Sequence, residues 1–399
     1  MKLTHRSTMI ACYNGYVTQA ICINLAPLLF LTFQRQFSIS LSQIGLLVTF
    51  NFLTQLTVDV LATRYADRLN LRFCAVFAHV VTAAGLCGLA IFTLIMPPYA
   101  GLLLAVSLLG IGGGFTEVII SPLMEACPTD GKSGNMSLLH SFYCWGQAGV
   151  VMLSGAFFAI FDIDQHWRTL PFLWAIIPMI GAIAFCVVPI YYLPRGEEKG
   201  TGILALLNSR SFRFFLLMMF CAGASEMVMS QWASGFVESA LGISKELGDL
   251  FGPGMFAIMM GVARLYYGAF SSCLDLRKLM MLSCLICVAA YLLAALAPNS
   301  VLSLIGCGLC GLSVGIFWPG TLSQAAEKIP TGGIAMFAML AIFGDLGCLS
   351  APAISGVIAD MFGGDLRMAF LFAILFPAVS LVALLILKHR SGEKGEMKK

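Results

Sequence analysis

Three carboxylates lie near the middle of apolar stretches that are each long enough to cross a bilayer. They are Glu117 in LLGIGGGFTEVIISPL, Glu226 in FFLLMMFCAGASEMVMSQWASGF and Asp345 in AMLAIFGDLGCLSAPAISG. An acid at that depth is costly unless it faces water or a partner, so each is a candidate for proton coupling. Asp345 sits in an Ala/Gly/Ser-rich segment that suits close helix packing equally well. His140 is placed for a proton relay to Glu117, or for a hydrogen bond between helices.

Aromatic and amide side chains in the same segments could bind a small polar solute. A tryptophan face can stack on the C–H surface of a sugar ring while amides bind its hydroxyl groups; filling the core is the alternative role for each tryptophan. The predicted solute-binding residues, besides Glu117 and Glu226, are Gln19, Asn24, Tyr143, Trp145, Gln147, Gln231, Trp232 and Trp318.

The composition places these residues in an integral membrane protein. The chain is 59% hydrophobic and 11% charged, with a mean hydropathy of +0.91, and apolar runs recur along its whole length. A helix needs about 20 apolar residues to cross the hydrocarbon. The sequence predicts twelve such spans, at roughly 9–31, 43–63, 73–96, 100–122, 135–160, 169–193, 212–238, 250–270, 279–297, 300–320, 333–358 and 366–387.

The basic residues predict the orientation of these spans. With both termini in the cytoplasm, 19 of the 23 Lys and Arg residues lie on the inner side, and the outer side keeps Arg35, Arg168, Lys245 and Arg367. That asymmetry fits the rule that cytoplasmic connections are rich in basic residues. The net charge of +3 therefore reports topology, and no nucleic-acid partner is expected. The predicted location is the plasma membrane, with multiple passes.

An internal repeat of roughly 200 residues divides the chain. A shift of 202 places Gly113 on Gly315, a shift of 201 places Gly146 on Gly347, and a shift of 205 places Asn70 on Asp275. We predict an all-α fold of twelve transmembrane helices in two pseudo-symmetric six-helix bundles, at 1–193 and 214–399, joined by a cytoplasmic loop at 194–213. Two such halves around a midplane site are the plan of a rocking transporter.

Charged residues near the predicted cytoplasmic ends of the spans are candidates for gating. Asp67, Arg68 and Arg72 form a turn between the second and third spans, and Asp275-Leu-Arg277-Lys278 is its degenerate copy. Asp59 and Arg264, which coincide under the shift of 205, are predicted as gating or inter-helix ionic residues. The charged turn and the twelve spans in two halves resemble the major facilitator superfamily.

Three segments resemble the fucose and glucose/galactose permease branch of that superfamily. They are Gly112-Gly-Gly-Phe-Thr-Glu117 followed by Pro122, Gly223-Ala-Ser-Glu226 followed by Trp232, and the region from His140 to Gly146. The resemblance implies proton- or sodium-linked sugar uptake. The fucose/proton symporters carry an acid on the first helix, whereas Gln19, Asn24 and Pro27 stand there in this chain.

Other classes of function have less support in the sequence. The pairs Cys284/Cys287 and Cys307/Cys310 have the C-x-x-C spacing of soft-metal ligands but no histidine nearby, so no metal site is predicted. The glycine-rich segments Gly110 to Gly114 and Gly306 to Gly315 have no strand before them and no Lys-Ser/Thr directly after them, so they are not phosphate loops. A proton-coupled exporter of amphipathic compounds is the main alternative, followed by a membrane enzyme or a receptor. We expect a monomer without cofactors, not an enzyme, whose partners are a small solute, a coupling proton or sodium ion and the lipid bilayer.

Overall fold

A computed structural model describes residues 3–39, 41–65, 70–193, 203–241, 252 and 254–396. Asp67 and Arg68 of the predicted gating set lie outside these residues. The described chain is helical and contains no strand. Its helices are α1 (His5–Leu28), α2 (Phe30–Phe37), α3 (Leu41–Tyr65), α4 (Leu71–Ile95), α5 (Pro98–Ala126), α6 (Lys132–Ile160), α7 (Ile163–His166), α8 (Thr169–Val187), α9 (Ile203–Asn208), α10 (Arg210–Leu241), α11 (Met255–Phe270), α12 (Leu276–Leu296), α13 (Ser300–Val314), α14 (Phe317–Lys328), α15 (Gly333–Met361), α16 (Leu366–Ala373) and α17 (Leu375–Glu396).

These helices supply the twelve predicted spans. Eight stretches are long and apolar enough to cross a membrane, and two shorter apolar helices lie at Leu46–Ala62 and Met255–Phe270. The two remaining spans are α1 and α6, which have the length but carry more polar residues, among them Gln19 and His140. The first, tenth and twelfth spans are each divided between two helices, α1 with α2, α13 with α14 and α16 with α17. The twelve-helix architecture is confirmed.

The internal repeat is visible in the helix ends. Helices α4 and α12 begin 205 positions apart, at Leu71 and Leu276, after the N-caps Asn70 and Asp275. The α13–α14 pair begins and ends 202 positions after α5, and α15 begins and ends 201 positions after α6. The Lys278 N–H donates to the Asp275 carboxylate at 3.0 Å, and this hydrogen bond lowers the pKa of Asp275.

The chain forms two compact units. The first contains Met1–Asp130, Phe142–Gly200 and Gly333–Ala338, and the second contains Gly131–Ser141, Thr201–Gly332 and Met339–Lys399. The predicted division at 194–213 stays a prediction, since 194–202 lie outside the described residues.

Glycines bring α3 and α4 close to α5 in the first unit. A Cβ at Gly110 would stand 2.5 Å from the Asn51 carbonyl oxygen of α3, and one at Gly112 would stand 2.8 Å from the Ala78 carbonyl oxygen of α4. Neither position has room for a larger side chain without backbone movement. Small residues permit this close packing in membranes, where no hydrophobic force drives helices together.

Candidate functional site

Glu117 lies in a cluster of amides inside the first unit. Its Oε2 atom accepts a hydrogen bond from Gln55 Nε2 of α3 at 2.8 Å and another from Gln19 Nε2 of α1 at 3.3 Å. Both glutamines are buried, whereas Glu117 itself is partly accessible. Gly113 lies one helical turn before Glu117, and a Cβ there would approach both glutamine Oε1 atoms, at 3.1 and 3.2 Å. Because Gly113 has no side chain, the two glutamines have room to approach Glu117.

Gln55 belongs to a polar stripe on α3. Asn51, Gln55 and Asp59 follow one another at intervals of four residues and are all buried, so they share one face of the helix. Asn51 Nδ2 donates to the Val106 carbonyl of α5 at 3.1 Å. Asp59 was predicted from the sequence as a gating or inter-helix ionic residue, whereas Gln55 was not predicted. The spacing of the three polar residues within an apolar helix was a signal that could have found it.

The cluster can accept a proton. In the first unit Gln19 Oε1 is buried and has no hydrogen-bond partner among the described residues, and a buried acceptor without a donor is unfavourable. A protonated carboxyl gains an O–H donor that an ionised one lacks. Protonation of Glu117 would thus supply an O–H donor close to Gln19 Oε1, which needs one. Both protonation states find hydrogen bonds in this cluster.

Glu226 has a different environment, because it pairs with Arg264 in the second unit. Arg264 Nη2 lies 3.2 Å from Glu226 Oε2, and the two side chains are 3% and 15% exposed. Arg264 Nε donates to the Gly315 carbonyl at 2.9 Å, and Nη1 donates to the His140 carbonyl at 3.2 Å. The Ser137 hydroxyl in turn donates to the Arg264 carbonyl at 2.8 Å. Arg264 thus connects α6, α10, α11 and the break between α13 and α14.

Pro319 explains why the Gly315 carbonyl is available to Arg264. Proline has no backbone N–H, so Pro319 cannot bond the carbonyl four residues earlier, which is that of Gly315. The helix is interrupted at Gly315 and Ile316, between α13 and α14. Interrupted backbone inside a membrane protein must find other partners. The buried guanidinium of Arg264 provides one.

Two of the predicted tryptophans pack against α15. Trp232 Nε1 donates to the Pro352 carbonyl at 3.0 Å, and a Cβ at Gly356 would stand 2.8 Å from its ring. The Trp318 ring faces Gly344, which leaves no room for a side chain there. Both tryptophans are half-buried, so each combines a packing contact with an accessible surface.

The other predicted solute-binding residues differ in accessibility. Trp145 is 38% exposed, Gln231 is exposed, and Tyr143 and Gln147 are half-buried. Asn24 Nδ2 donates to the Ala20 carbonyl within α1 at 2.9 Å. All five therefore keep some accessible surface, and their role stays a prediction.

The remaining coupling and gating candidates are mostly buried. Asp345, His140 and Asp59 are 9%, 4% and 0% exposed. Arg72 donates from Nη1 to the Phe185 and Cys186 carbonyls at 2.8 and 2.7 Å, so it satisfies carbonyls at the end of α8 that lack helical partners. The relay role of His140 and the gating roles of Asp59 and Arg72 stay predictions. Over the part of the chain that the structure describes, no three His, Cys, Asp or Glu side chains are placed to hold a metal.

Comparison with known proteins assigns the family. The family model described as Major Facilitator Superfamily matches residues 8–336 and 254–398. This chain belongs to the major facilitator superfamily. Its fold is that of superfamily transporters whose crystal structures are known, including FucP in the outward conformation, with a TM-score of 0.81 and 16% identity over 96% of this chain and 99% of that one.

Two other known proteins are similar to this chain. The proton:xylose symporter XylE aligns with a TM-score of 0.80 and 13% identity over 96% of this chain and 95% of that one. Membrane protein MosC of Rhizobium meliloti is 22% identical over 293 residues, which are 73% of this chain and 69% of that protein. Because the two solved structures are only 16% and 13% identical to this chain, the similarity shows a common fold and no more.

Proposed function

We propose that this superfamily member is a secondary active transporter that moves a sugar or polyol by alternating access, coupled to a proton. The observation that carries the proposal is the Glu117 carboxylate, which lies inside a membrane span and is held by two neutral glutamine amides. Neither amide carries a positive charge that would fix Glu117 in the ionised state. An intramembrane acid of this kind is suited to gain and lose a proton during transport.

A proton fits this cluster better than a sodium ion. Hard cations take oxygen ligands, but the two glutamines present amide nitrogens to Glu117 Oε2. Glu226 is less suited to coupling, since its carboxylate forms an ion pair with Arg264 at 3.2 Å. Glu117 is therefore our first candidate for the coupling site, ahead of Glu226 and Asp345.

A sugar or polyol agrees with the side chains that the first and fifth spans offer. Amides can bind hydroxyl groups, and an accessible tryptophan such as Trp145 can stack on a sugar ring. FucP of E. coli is named as a fucose:proton symporter and XylE as a proton:xylose symporter, which supports this class of solute. We propose Gln19, Tyr143, Trp145 and Gln147 as the leading binding residues, and a monomer in the plasma membrane as the working form.

Whole-cell uptake of a panel of labelled sugars and polyols tests the proposal. We expect one or a few solutes to accumulate, and a protonophore to abolish the accumulation. One proton moving through 100 mV supplies about 2.3 kcal/mol, which permits roughly fiftyfold accumulation. Cells without the protein serve as the control. If no solute accumulates, the proposal is contradicted and an exporter of amphipathic compounds is favoured. If accumulation depends on sodium, the coupling ion is sodium and not a proton.

The proposed topology has both termini in the cytoplasm. A reporter that is active only in the cytoplasm should work after Lys199 or at Lys399 and fail near Gln165, in the short helix α7. Matched fusion levels, measured by immunoblot, control for expression. Activity at Gln165 would overturn the assignment.

A further inference from the structure

An apolar groove runs along the surface of the second unit between α10 and α17. It is open, has a volume of about 230 Å³, and is lined by Phe214 and Leu217 of α10 and by Val379, Val382, Ile386 and two alanines of α17. Leu217 is 39% exposed and Val382 is 55% exposed. In a membrane-spanning unit, an exposed groove of this chemistry faces hydrocarbon, so a lipid acyl chain matches its lining.

One end of the groove carries positive charge. Arg210 lies one helical turn before Phe214, and Arg213 lies one turn before Leu217, so both arginines follow the face of α10 that lines the groove. Both are exposed. Neither forms an ion pair or a side-chain hydrogen bond with another described residue. Within the described part of the chain, no acidic side chain therefore occupies either guanidinium group.

The short helix α9 indicates that this end lies at the membrane surface. Leu206 is fully buried and anchors α9, whereas Leu204 and Leu207 are 78% and 36% exposed. The Ser209 N–H donates to the Ala205 carbonyl, and the Phe212 N–H donates to Ser209 Oγ, at the turn into α10. Exposed leucines next to arginines are typical of a segment that lies in the interface between headgroups and acyl chains.

We propose that the α10–α17 groove binds one anionic phospholipid, with an acyl chain against Phe214, Leu217 and Val382 and the phosphate headgroup on Arg210 and Arg213. Basic pockets between transmembrane helices recognise anionic headgroups in this way. A zwitterionic lipid could place its chain in the groove, but its own positive charge would weaken the contact with the arginines. The groove therefore selects the headgroup charge of the lipid.

The test uses the full-length protein purified in detergent, with phosphatidylglycerol and phosphatidylcholine of identical acyl chains added in equal amounts. Native mass spectrometry measures how much of the protein retains one molecule of each lipid. Each basic residue near an anionic lipid contributes a factor of about five. We expect the parent to retain phosphatidylglycerol over phosphatidylcholine by roughly tenfold or more, and the double variant Arg210→Gln/Arg213→Gln to lose this preference.

Two matched controls separate the groove from general effects. Arg6→Gln/Arg64→Gln removes the same charge from exposed positions of the first unit and should keep the preference. Leu217→Trp fills the groove and should remove the first bound phosphatidylglycerol, whereas Leu285→Trp, at a 54% exposed position of α12, should not. Size-exclusion chromatography verifies that each variant is folded. The proposal is overturned by a parent that shows no preference, by equal losses in both arginine pairs, or by unchanged binding in Leu217→Trp.

Discussion

Glu117→Gln is expected to abolish uphill accumulation of the transported sugar while leaving the exchange of labelled for unlabelled sugar largely intact. Accumulation should fall from as much as roughly fiftyfold to equal concentrations on the two sides. Glutamine has nearly the shape of a protonated glutamate but cannot release a proton. Exchange requires the loaded protein to change conformation, whereas accumulation also requires the release of the coupled proton.

The contacts of Glu117 explain why this variant should fold. Gln55 and Gln19 donate to the carboxylate at 2.8 and 3.3 Å, and a glutamine at position 117 still offers an oxygen to accept these bonds. Its amide N–H groups can donate to the buried oxygen of Gln19, which has no partner among the described residues of this unit.

The matched control is Glu226→Gln, which makes the same substitution at the acid that forms an ion pair with Arg264. We expect this variant to keep gradient-driven accumulation. The measurement is uptake and counterflow in proteoliposomes with an imposed proton gradient. Full accumulation by both variants would exclude these acids as coupling sites, leaving Asp345, a sodium gradient or passive uniport to be tested next.

Arg264→Met is expected to lower the free energy of unfolding by about 3–5 kcal/mol, the cost of leaving a buried charge without its partner. The substitution leaves the Glu226 carboxylate, 15% exposed, without its guanidinium. It also removes the donors to the Gly315 and His140 carbonyls. Thermal unfolding in detergent, followed by size-exclusion chromatography, measures the effect.

Two further variants distinguish the buried pair from ion pairing in general. Arg264→Met/Glu226→Met removes both charges and should recover part of the loss, because no charge remains buried. Arg35→Met breaks the pair with Asp164, whose side chains are 59% and 53% exposed, and should cost about 0–1 kcal/mol. A single Arg264→Met variant as stable as Arg35→Met would show that Arg264 does not stabilise the second unit.

The sequence predicted the fold in detail because its signals come from the membrane itself. The length of each apolar run is set by the bilayer, and the helices found in the structure supply all twelve predicted spans. The sequence also predicted the internal repeat, whose shifts reappear in the starts of α4, α5 and α6 and of their counterparts.

The contacts within the site were harder to predict, because they depend on how a helix is rotated. Glu117 and Gln19 were identified as intramembrane polar residues, but not as partners of Gln55. Arg264 was predicted as a gating or inter-helix ionic residue, but its contact with Glu226 was not predicted. Its bond to the Gly315 carbonyl depends on the break caused by Pro319. A proline predicts that a carbonyl is released, but not which side chain reaches it.

The helix ends of the two halves also bear on how this chain tolerates changes in length. Helices α5 and α6 have the same lengths as their counterparts in the second half. If the two halves descend from one duplicated segment, the insertions and deletions that distinguish them therefore lie outside the fourth and fifth spans. One inserted residue in a helix rotates all that follows by about 100°. Between Gly113 and Glu117 it would turn the carboxylate away from both glutamines. The same insertion in the connection after Ile95 would leave this register unchanged.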